Sequence, residues 1–302
     1  MEDNTKSTQP ENKGTYSDGH PLDEVKYLEC KIILNGNRFT SVESFNEFAK
    51  LVKIAAEKTG VDFSRKGFKD LRPQIREVLF MDTADFRLYN NAFILRKRTD
   101  YVDGFAVGDP EYVFKFRHPD LHTAAEVDVR PKIAGDYLIK FKAEALPLKD
   151  KIGGVRMLYS HNAQFASSAI HEEDRTAMAT LIHILPALQS LKTSPDEHVE
   201  FVNHTAVEEV LLDIGMLDFG KGITAKSNVA VWRTRGDQKQ LVGEFAFQCK
   251  FQRENDLHTE AAQRCEKLMV DIQSIAEQWL SLGLTKTGAV YRLKGNPPAS
   301  HE

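Results

Sequence analysis

The sequence lacks the features that identify disulfide-rich, zinc-binding and membrane-spanning proteins. Only three of its 302 residues are cysteines, and Cys30, Cys249 and Cys265 show no CxxC or Cys/His metal spacing. We therefore expect three free thiols in a reducing compartment. No run approaches the roughly 18 apolar residues of a membrane span, and the polar first twenty residues lack a signal peptide's apolar stretch. These absences predict a cytoplasmic protein with no membrane partner.

An excess of basic charge is also missing. Forty Lys and Arg residues face 44 Asp and Glu residues, for a formal net charge of −4. General binding along nucleic acid is favoured by a strongly basic surface that releases counterions, so we do not expect it here. Any anion site must therefore be local. The 41% hydrophobic content is enough for a sizeable core.

The two ends of the sequence contain few large apolar residues. Residues 1–22 and 294–302 cannot bury enough surface to offset the entropy of ordering, so we predict disordered tails there. Between them, over 23–293, segments rich in β-formers alternate with turn-prone stretches, which predicts antiparallel strands, including one at 125–131. From about 133 to 205 the apolar spacing favours helices, which we interpret as a helical insertion.

Several predicted strands carry charge at every second position. Side chains at i and i+2 share one face of a strand. The ordinary explanation is an antiparallel sheet with one solvated face. Repeated pairs of charged residues instead favour a closed barrel, whose charged faces line a lumen while the apolar faces pack against outer helices. The paired positions are Glu29 and Lys31, Arg96 and Arg98, Lys115 and Arg117, Glu126 and Asp128, and Arg233 and Arg235.

Such a lumen predicts the chemistry of its ligand. Buried charges are costly unless a counter-charge and hydrogen bonds accompany them. The expected ligand is therefore a multivalent anion, bound together with metal ions.

A more specific pattern lies in the stretch MDTADFRLYNNAFILRKR. Phe80 precedes an Asp82-Thr83 pair, and Leu88, Ala92 and a Leu-Arg-x-Arg strand ending at Arg98 follow. In this order the residues resemble the CYTH family of triphosphate tunnel metalloenzymes, which includes class IV adenylate cyclases and thiamine triphosphatase-like proteins. The second half of the chain matches more loosely, through Arg233, Arg235, the Glu244 strand and Lys286. We interpret the Asp82-Thr83 pair as organising a turn at the end of a strand.

The resemblance implies an α+β fold in which residues 23–293 form an eight-stranded antiparallel β-barrel, a tunnel with helices packed outside. It further implies metal-dependent hydrolysis of inorganic tripolyphosphate or of a nucleoside or thiamine triphosphate, with Mg²⁺ or Mn²⁺. The implied catalytic residues are Glu29 and Lys31. The implied phosphate ligands are Lys31, Arg96, Arg98, Lys115, Arg117, Arg233 and Arg235. The implied metal ligands are Glu29, Glu126, Asp128 and Glu244.

Two departures from the family pattern keep other functions open. Tyr27 stands where the family's Glu-x-Glu-x-Lys strand has its first glutamate, and the last barrel strand reads Glu244, Ala246, Gln248. Because hard divalent cations want several oxygen ligands, fewer carboxylates mean weaker metal binding. A non-catalytic protein that binds polyphosphate or a phosphorylated metabolite is the first alternative, and an adenylate cyclase of the same fold is the second. A homodimer is one option for the assembly.

Overall fold

The computed structural model of the chain describes residues 14–69, 71–194, 196–252, 259–294 and Pro297. Within them, eleven strands form one sheet, and nine of these close into a barrel. The strands are β1 (Tyr27–Leu34), β2 (Asp62–Ser64), β3 (Gln74–Asp82), β4 (Phe93–Val102), β5 (Phe105–His118), β6 (Tyr137–Pro147), β7 (Val155–Ala166), β8 (Glu200–Phe201), β9 (Val207–Asp218), β10 (Thr224–Thr234) and β11 (Gln240–Lys250).

The barrel order is β9-β10-β11-β1-β6-β7-β5-β4-β3, and a β3–β9 pairing closes the ring. β2 and β8 pair at its margin. The predicted barrel is confirmed, but the expected count of eight strands is wrong. Strand direction cannot alternate all the way around a ring of nine, so one neighbouring pair must be parallel. That pair is β1–β6, in which Glu29 lies opposite Glu144.

Helices pack on the outside of the barrel, as predicted. On α1, Phe48 and Val52 pack with Phe245 of β11 and with Leu268 of α5 in the largest apolar cluster. α1 ends at Gly60, whose φ of 69° lies in the left-handed region that glycine adopts without strain. The helices are α1 (Val42–Thr59), α2 (Arg87–Asn90), α3 (Leu121–Glu126), α4 (Met178–Ile184), α5 (Thr259–Ile275) and α6 (Lys286–Tyr291).

Two secondary-structure predictions were wrong. The stretch expected to be a helical insertion from about residue 133 contains β6 and β7, and its first helix begins at Met178. Apolar Ile139 and Phe141 alternate with Lys140 and Lys142 there, so the period is that of a strand. Residues 125–131 form no strand, because Asp120 caps α3 by accepting the N–H of Thr123 at 2.8 Å.

The predicted amino-terminal tail is partly ordered. Residues 1–13 lie outside the described part of the chain, but Thr15 pairs with Pro21 in a β-bridge. Tyr16 is buried, and its hydroxyl lies 3.2 Å from Asp23 Oδ2 and 3.1 Å from the carbonyl of Ala125. Residues 14–22 are therefore part of the folded body. Of the predicted tail 294–302, the structure describes residue 294 and Pro297 alone.

The three cysteines are free thiols buried in the core, as predicted. No helix among the described residues is long and apolar enough to cross a membrane.

Candidate anion-binding site

The strands turn charged side chains into the barrel. On β1 the inward residues are Glu29, Lys31 and Ile33, and on β4 they are Ile94, Arg96 and Arg98. Together the strands and α6 enclose a cavity of about 250 Å³. Its charged lining residues are Glu29, Lys31, Arg76, Arg96, Arg98, Lys115, Arg117, Lys140, Lys142, Glu209, Glu244 and Lys286.

The structure brings together seven of the residues singled out in the sequence. These line the cavity, and they come from four different strands: Glu29, Lys31, Arg96, Arg98, Lys115, Arg117 and Glu244. The i and i+2 pattern was therefore a correct guide to the inward face of β1, β4 and β5.

The predicted phosphate ligands on β10 lie outside the lumen. Trp232 points inward, and Arg233 and Arg235 lie on the outer face near the end of the strand. Arg233 pairs with Glu208, and Arg235 pairs with Glu77. The prediction failed because it assigned the large apolar Trp232 to the outside. Its indole N–H is satisfied inside, where it donates to Glu209 Oε1 at 2.8 Å.

The predicted metal ligands Glu126 and Asp128 also lie outside the lumen. Glu126 ends α3, and Asp128 follows it in a segment without strand structure. Both line a separate surface cleft. Asp128 binds the guanidinium of Arg130, with Oδ2 2.6 Å from Nη2. Asp128 and Arg130 therefore pair with each other at the surface, and the alternating charges there do not mark a strand of the barrel.

Sequence reasoning missed several charged residues of the lumen. Lys140, Lys142 and Glu144 sit on β6, in the stretch that was expected to be helical, although their spacing carries the same i and i+2 signal. Arg76 and Glu209 stand singly on β3 and β9, where no pair marks the inward face. Lys286, which the resemblance matched without assigning it a role, lies on α6.

Glu144 is the centre of the ion-pair network. It is fully buried, and its carboxylate lies 3.0 Å from Lys31 Nζ, 3.4 Å from Lys115 Nζ and 3.2 Å from Arg117 Nε. Burial alone would raise its pKa, but Arg117, Lys115 and Lys31 hold the pKa well below its ordinary value. Glu144 therefore stays ionised and holds three basic groups around one point.

Basic groups nevertheless outnumber acidic ones. Of the described residues, nine basic side chains and three carboxylates line the cavity, and Glu144 lies beneath them. If all are ionised, five positive charges are left over. The Nε atoms of Arg76, Arg96 and Arg98 are buried without a hydrogen-bond partner among the described residues. Buried donors of this kind are costly unless something accepts their hydrogen bonds.

The crowding of cations is visible in two pKa shifts. Burial and the neighbouring Arg98 lower the pKa of Arg96 to about 9. Burial lowers the pKa of Lys115 well below its usual value, with Arg117 and Lys31 adding to the effect against the opposing pull of Glu144. Both groups would be more stable as cations with an anion beside them.

One end of the lumen is closed by an apolar plug, formed by side chains from the ends of the strands and from α6. Phe80 lies 5.8 Å from the ring of Trp232, and Tyr89 stacks on Tyr291 at 4.2 Å. Lys286 lies at the boundary, with Nζ 2.8 Å from Glu244 and 4.8 Å from the ring centre of Trp232. The plug consists of Ile33, Val78, Phe80, Tyr89, Ile94, Val202, Val207, Trp232, Val242, Val290 and Tyr291.

Asp82 ties the plug to the turn after β3. Its carboxylate accepts the backbone N–H groups of Leu88 at 2.8 Å and Tyr89 at 2.9 Å, and the hydroxyl of Tyr291 at 2.9 Å. It also accepts the N–H of Thr83 at 2.8 Å. The interpretation of Asp82-Thr83 as a turn organiser is confirmed.

The carboxylates of the lumen do not fit a site for Mg²⁺ or Mn²⁺. Glu29 and Glu244 remain of the four predicted ligands, and each carboxylate is bound to lysine. Among the described residues, no group of three or more His, Cys, Asp or Glu side chains is placed to hold a metal ion. Such cations need several oxygen ligands around one point.

No family model and no curated protein matches the chain. Several solved structures are similar to it. One is a candidate adenylyl cyclase, HpAC1 from Hippeastrum, for which a dominant triphosphatase activity is described; it is 14% identical, covers 91% of this chain and 98% of its own, and has a TM-score of 0.43.

Two others are candidate adenylate cyclases. The protein from Bacillus halodurans is 11% identical over 90% of this chain and 98% of its own, with a TM-score of 0.41. The protein from Vibrio parahaemolyticus is 10% identical over 88% and 98%, with a TM-score of 0.33. These are proteins of the kind that the sequence resemblance names. The likenesses are too weak to carry a function, which we argue from the residues of this chain.

Proposed function

We propose that the lumen binds a triphosphate chain and that the protein hydrolyses it. The observation that supports this most directly is the excess of basic over acidic side chains around the cavity, nine against four with Glu144, together with three arginine Nε donors that have no partner among the described residues. Phosphate oxygens supply both the negative charge and the acceptors that this lining lacks. Arginine suits the task because its planar fork can donate two hydrogen bonds to one phosphoryl group.

The spacing of the basic groups favours a chain of phosphates over a single one. Residues two apart on a strand lie roughly 6.8 Å apart along it. Arg96 and Arg98 therefore occupy successive levels of the lumen, as do Lys115 and Arg117, and Lys140 and Lys142. A triphosphate can contact several of these levels at once. An inorganic phosphate can contact one.

Hydrolysis is the reaction that such a lining would assist. Water attacks the terminal phosphorus atom, the bond from that phosphorus to the bridging oxygen breaks, and the shortened chain leaves with the bridging oxygen. One water proton passes to a phosphate oxygen or to solvent, and the attacked group is released as inorganic phosphate. This reaction depends mainly on positioning and on neutralising charge at the phosphoryl oxygens. Lys31 contributes as a cation, because Glu144 and Glu29 raise its pKa although burial alone would lower it. We assign Lys31 to charge neutralisation and Glu29, 2.7 Å away, to orienting it.

Phosphate release from tripolyphosphate, ATP and thiamine triphosphate tests the proposal. We expect turnover of at least one of them by the full chain, and its loss in an Arg96→Ala, Arg98→Ala double variant. Arg233→Ala is the matched control, because Arg233 lies on the outer face and should leave turnover unchanged. Turnover in the double variant equal to that of the unchanged chain would contradict the proposal. Cyclic AMP in the ATP reaction would instead indicate a cyclase.

Binding without turnover is the second candidate. It is favoured by one observation: of the four lumen carboxylates, each is bound to a lysine or an arginine, so none is free to act as a base toward water. Calorimetry that shows tight binding of tripolyphosphate, with no phosphate released, would establish this function. The homodimer and the cytoplasmic location stay predictions from the sequence.

A further inference from the structure

We infer that the lumen binds its triphosphate as the free anion, without a divalent cation, because ammonium and guanidinium groups of the chain itself occupy the carboxylates. This inference rests on the proposed function, since it concerns the form in which the same site takes its ligand. Four carboxylates and the basic groups around them carry it.

Glu29 lies on β1, two inward positions from Ile33 of the plug. Its Oε2 lies 2.7 Å from Lys31 Nζ, and its Oε1 lies 3.3 Å from Lys142 Nζ. Lys142 comes from β6, where it stands opposite Tyr27 in the parallel pair. Tyr27 stands where the family pattern has its first glutamate. At this level of the barrel, Lys142 supplies a positive charge to Glu29. Both oxygens of Glu29 are engaged.

Glu209 and Glu244 are engaged near the plug. Glu209 Oε2 lies 2.6 Å from Arg76 Nη2, and its Oε1 accepts from the indole of Trp232 at 2.8 Å. Lys286 Nζ lies 2.8 Å from Glu244 and 3.3 Å from Glu209. Glu144 is fully buried among three cations. A divalent cation would have to displace a basic group at each of these carboxylates, which would leave that group buried and unpaired.

The carboxylates that lie close together share a lysine instead, because Lys31 lies between Glu29 and Glu144, and Lys286 lies between Glu209 and Glu244. Glu29 and Glu244 are too far apart to share one ion. Glu29 pairs with Gln248 across the β1–β11 ladder, and Glu244 lies opposite Ile33. Four residues along a strand correspond to roughly 13 Å. Ala246 and Gln248, which share the strand face of Glu244, offer no carboxylate. An ion at Glu29 would therefore receive no ligand from Glu244.

The net charge of the lining fits the free anion better than its metal complex. A triphosphate chain carries about four negative charges near pH 7, because the second proton of a terminal phosphoryl group has a pKa near 6. The excess of five positive charges in the lining is similar in size. Binding of Mg²⁺ to the triphosphate would cancel about half of its charge and so weaken this attraction.

Calorimetry of tripolyphosphate with the full chain tests the inference. One titration contains EDTA, and the other contains Mg²⁺ in excess over the ligand. We expect tight binding in EDTA and binding that is equal or several-fold weaker in Mg²⁺. Binding at least threefold tighter in Mg²⁺ than in EDTA would overturn the inference but leave the proposed function standing. No binding in either titration would overturn the proposed function itself.

Variants of the carboxylates sharpen the test. Glu29→Gln removes one negative charge, so we expect tripolyphosphate to bind in EDTA at least as tightly as to the unchanged chain. If Glu29 were a metal ligand, the variant would instead lose the part of tripolyphosphate binding that depends on Mg²⁺. Glu208→Gln is the matched control, because Glu208 pairs with Arg233 on the outer face and should not change either titration. Circular dichroism establishes that each variant is folded.

Lys142→Met makes the reverse prediction. This substitution frees one carboxylate oxygen of Glu29. We therefore expect tripolyphosphate to bind more weakly in EDTA than it does to the unchanged chain. Addition of Mg²⁺ should tighten its binding to the variant, which it should not do for the unchanged chain. If Lys142→Met binds tripolyphosphate equally in EDTA and in Mg²⁺ and as tightly as the unchanged chain, then Lys142 does not act as the internal counter-ion, and the inference is wrong.

Discussion

The charged part of the lumen and its apolar plug are built from the same strands and the same inward positions, yet they differ in almost every physical respect. On β1 the inward side chain changes from lysine to isoleucine between Lys31 and Ile33, and on β4 from isoleucine to arginine between Ile94 and Arg96. The charged part has buried arginine Nε donors without a hydrogen-bond partner in the part of the chain that the structure describes. The other has stacked rings and almost no exposed surface.

This difference separates binding from stability within one barrel. A cluster of like charges costs folding free energy until an anion arrives, because each cation loses water and repels its neighbours. The plug supplies stability through burial of large apolar side chains. Lys286 joins the two parts, since it pairs with Glu244 on one side and contacts Trp232 on the other. Substitutions in the two parts should therefore have opposite signatures.

The largest effect on stability should come from the plug. Phe80→Ala removes a ring that is 1% exposed and packs against Trp232 and Tyr291. We expect the free energy of unfolding to fall by about 3–5 kcal/mol. Phe105→Ala is the control, because Phe105 is 76% exposed and its loss should cost less than about 0.5 kcal/mol. Urea denaturation measures both, and equal losses would show that the plug is not the stabilising part.

Asp82→Asn should come next. An amide offers one acceptor oxygen where the carboxylate serves four donors, so buried N–H and O–H groups lose partners at a cost of about 2–4 kcal/mol. Burial raises the pKa of Asp82 to about 6, despite these hydrogen bonds. The folded state therefore binds the proton more tightly than the unfolded state. Its contribution to stability is complete below pH 4 and is lost as the pH rises through 6.

The measurement for Asp82 is denaturation of both proteins across pH 4–8. Because the variant has no carboxyl group at this position, the stability difference between the unchanged chain and Asp82→Asn should narrow as the pH rises. A difference that stays constant or widens would contradict the raised pKa.

Arg96→Gln should show the opposite signature. Hydrogen bonds to charged groups contribute about 1.5–3 kcal/mol, so tripolyphosphate should bind about 10- to 100-fold more weakly. The melting temperature of the free protein should stay the same or rise, since an unsatisfied cation leaves a crowded cluster. Calorimetry and thermal denaturation give the two values. A clear fall in melting temperature would show that the charged part stabilises the fold after all.

The smallest effect is an uptake of protons on binding. The pKa of Lys115 is lowered in the free protein, and a bound anion should raise it. Less than one proton per tripolyphosphate should therefore be taken up at a pH below the ordinary lysine pKa, measured by calorimetry in two buffers of different ionisation enthalpy. Lys115→Met should reduce the uptake. Release of protons on binding would contradict the lowered pKa.

The same lowered pKa has a consequence for stability. Because the folded state holds this proton less tightly than the unfolded state, stability contributed by Lys115 should rise with pH up to the ordinary lysine pKa.

The sequence predicted the barrel, the outer helices and the inward face of three strands, because side chains at every second position of a strand share one face. Lys115 and Arg117 are inward for the same reason that Phe114 and Phe116 are outward. It did not predict β6 and β7. The alternation at Lys140 and Lys142 was the same signal, but the apolar residues around it also fit a helix, and pairing with β1 and β7 decided between them.

The rest of the site depends on contacts that are distant along the chain. Trp232 faces inward because Glu209 accepts its indole N–H and Phe80 packs against its ring, and neither residue is near it in sequence. Glu126 and Asp128 have the spacing of a barrel strand, but a helix cap at Asp120 and the neighbouring Arg130 decide their structure. Alternation identifies a face. It does not show which strands join the barrel.

Helix α6 follows all eleven strands along the chain, and this order has a consequence for how the protein is made. Every strand of the barrel leaves the ribosome before Lys286 and Tyr291 do. Until then Glu209 and Glu244 lack the ammonium group that pairs with both, and the aromatic end of the lumen lacks the ring that stacks on Tyr89. A nascent chain that stops short of α6 would thus lack Lys286 and Tyr291 at this end of the lumen, and α6 completes the plug that the strands begin.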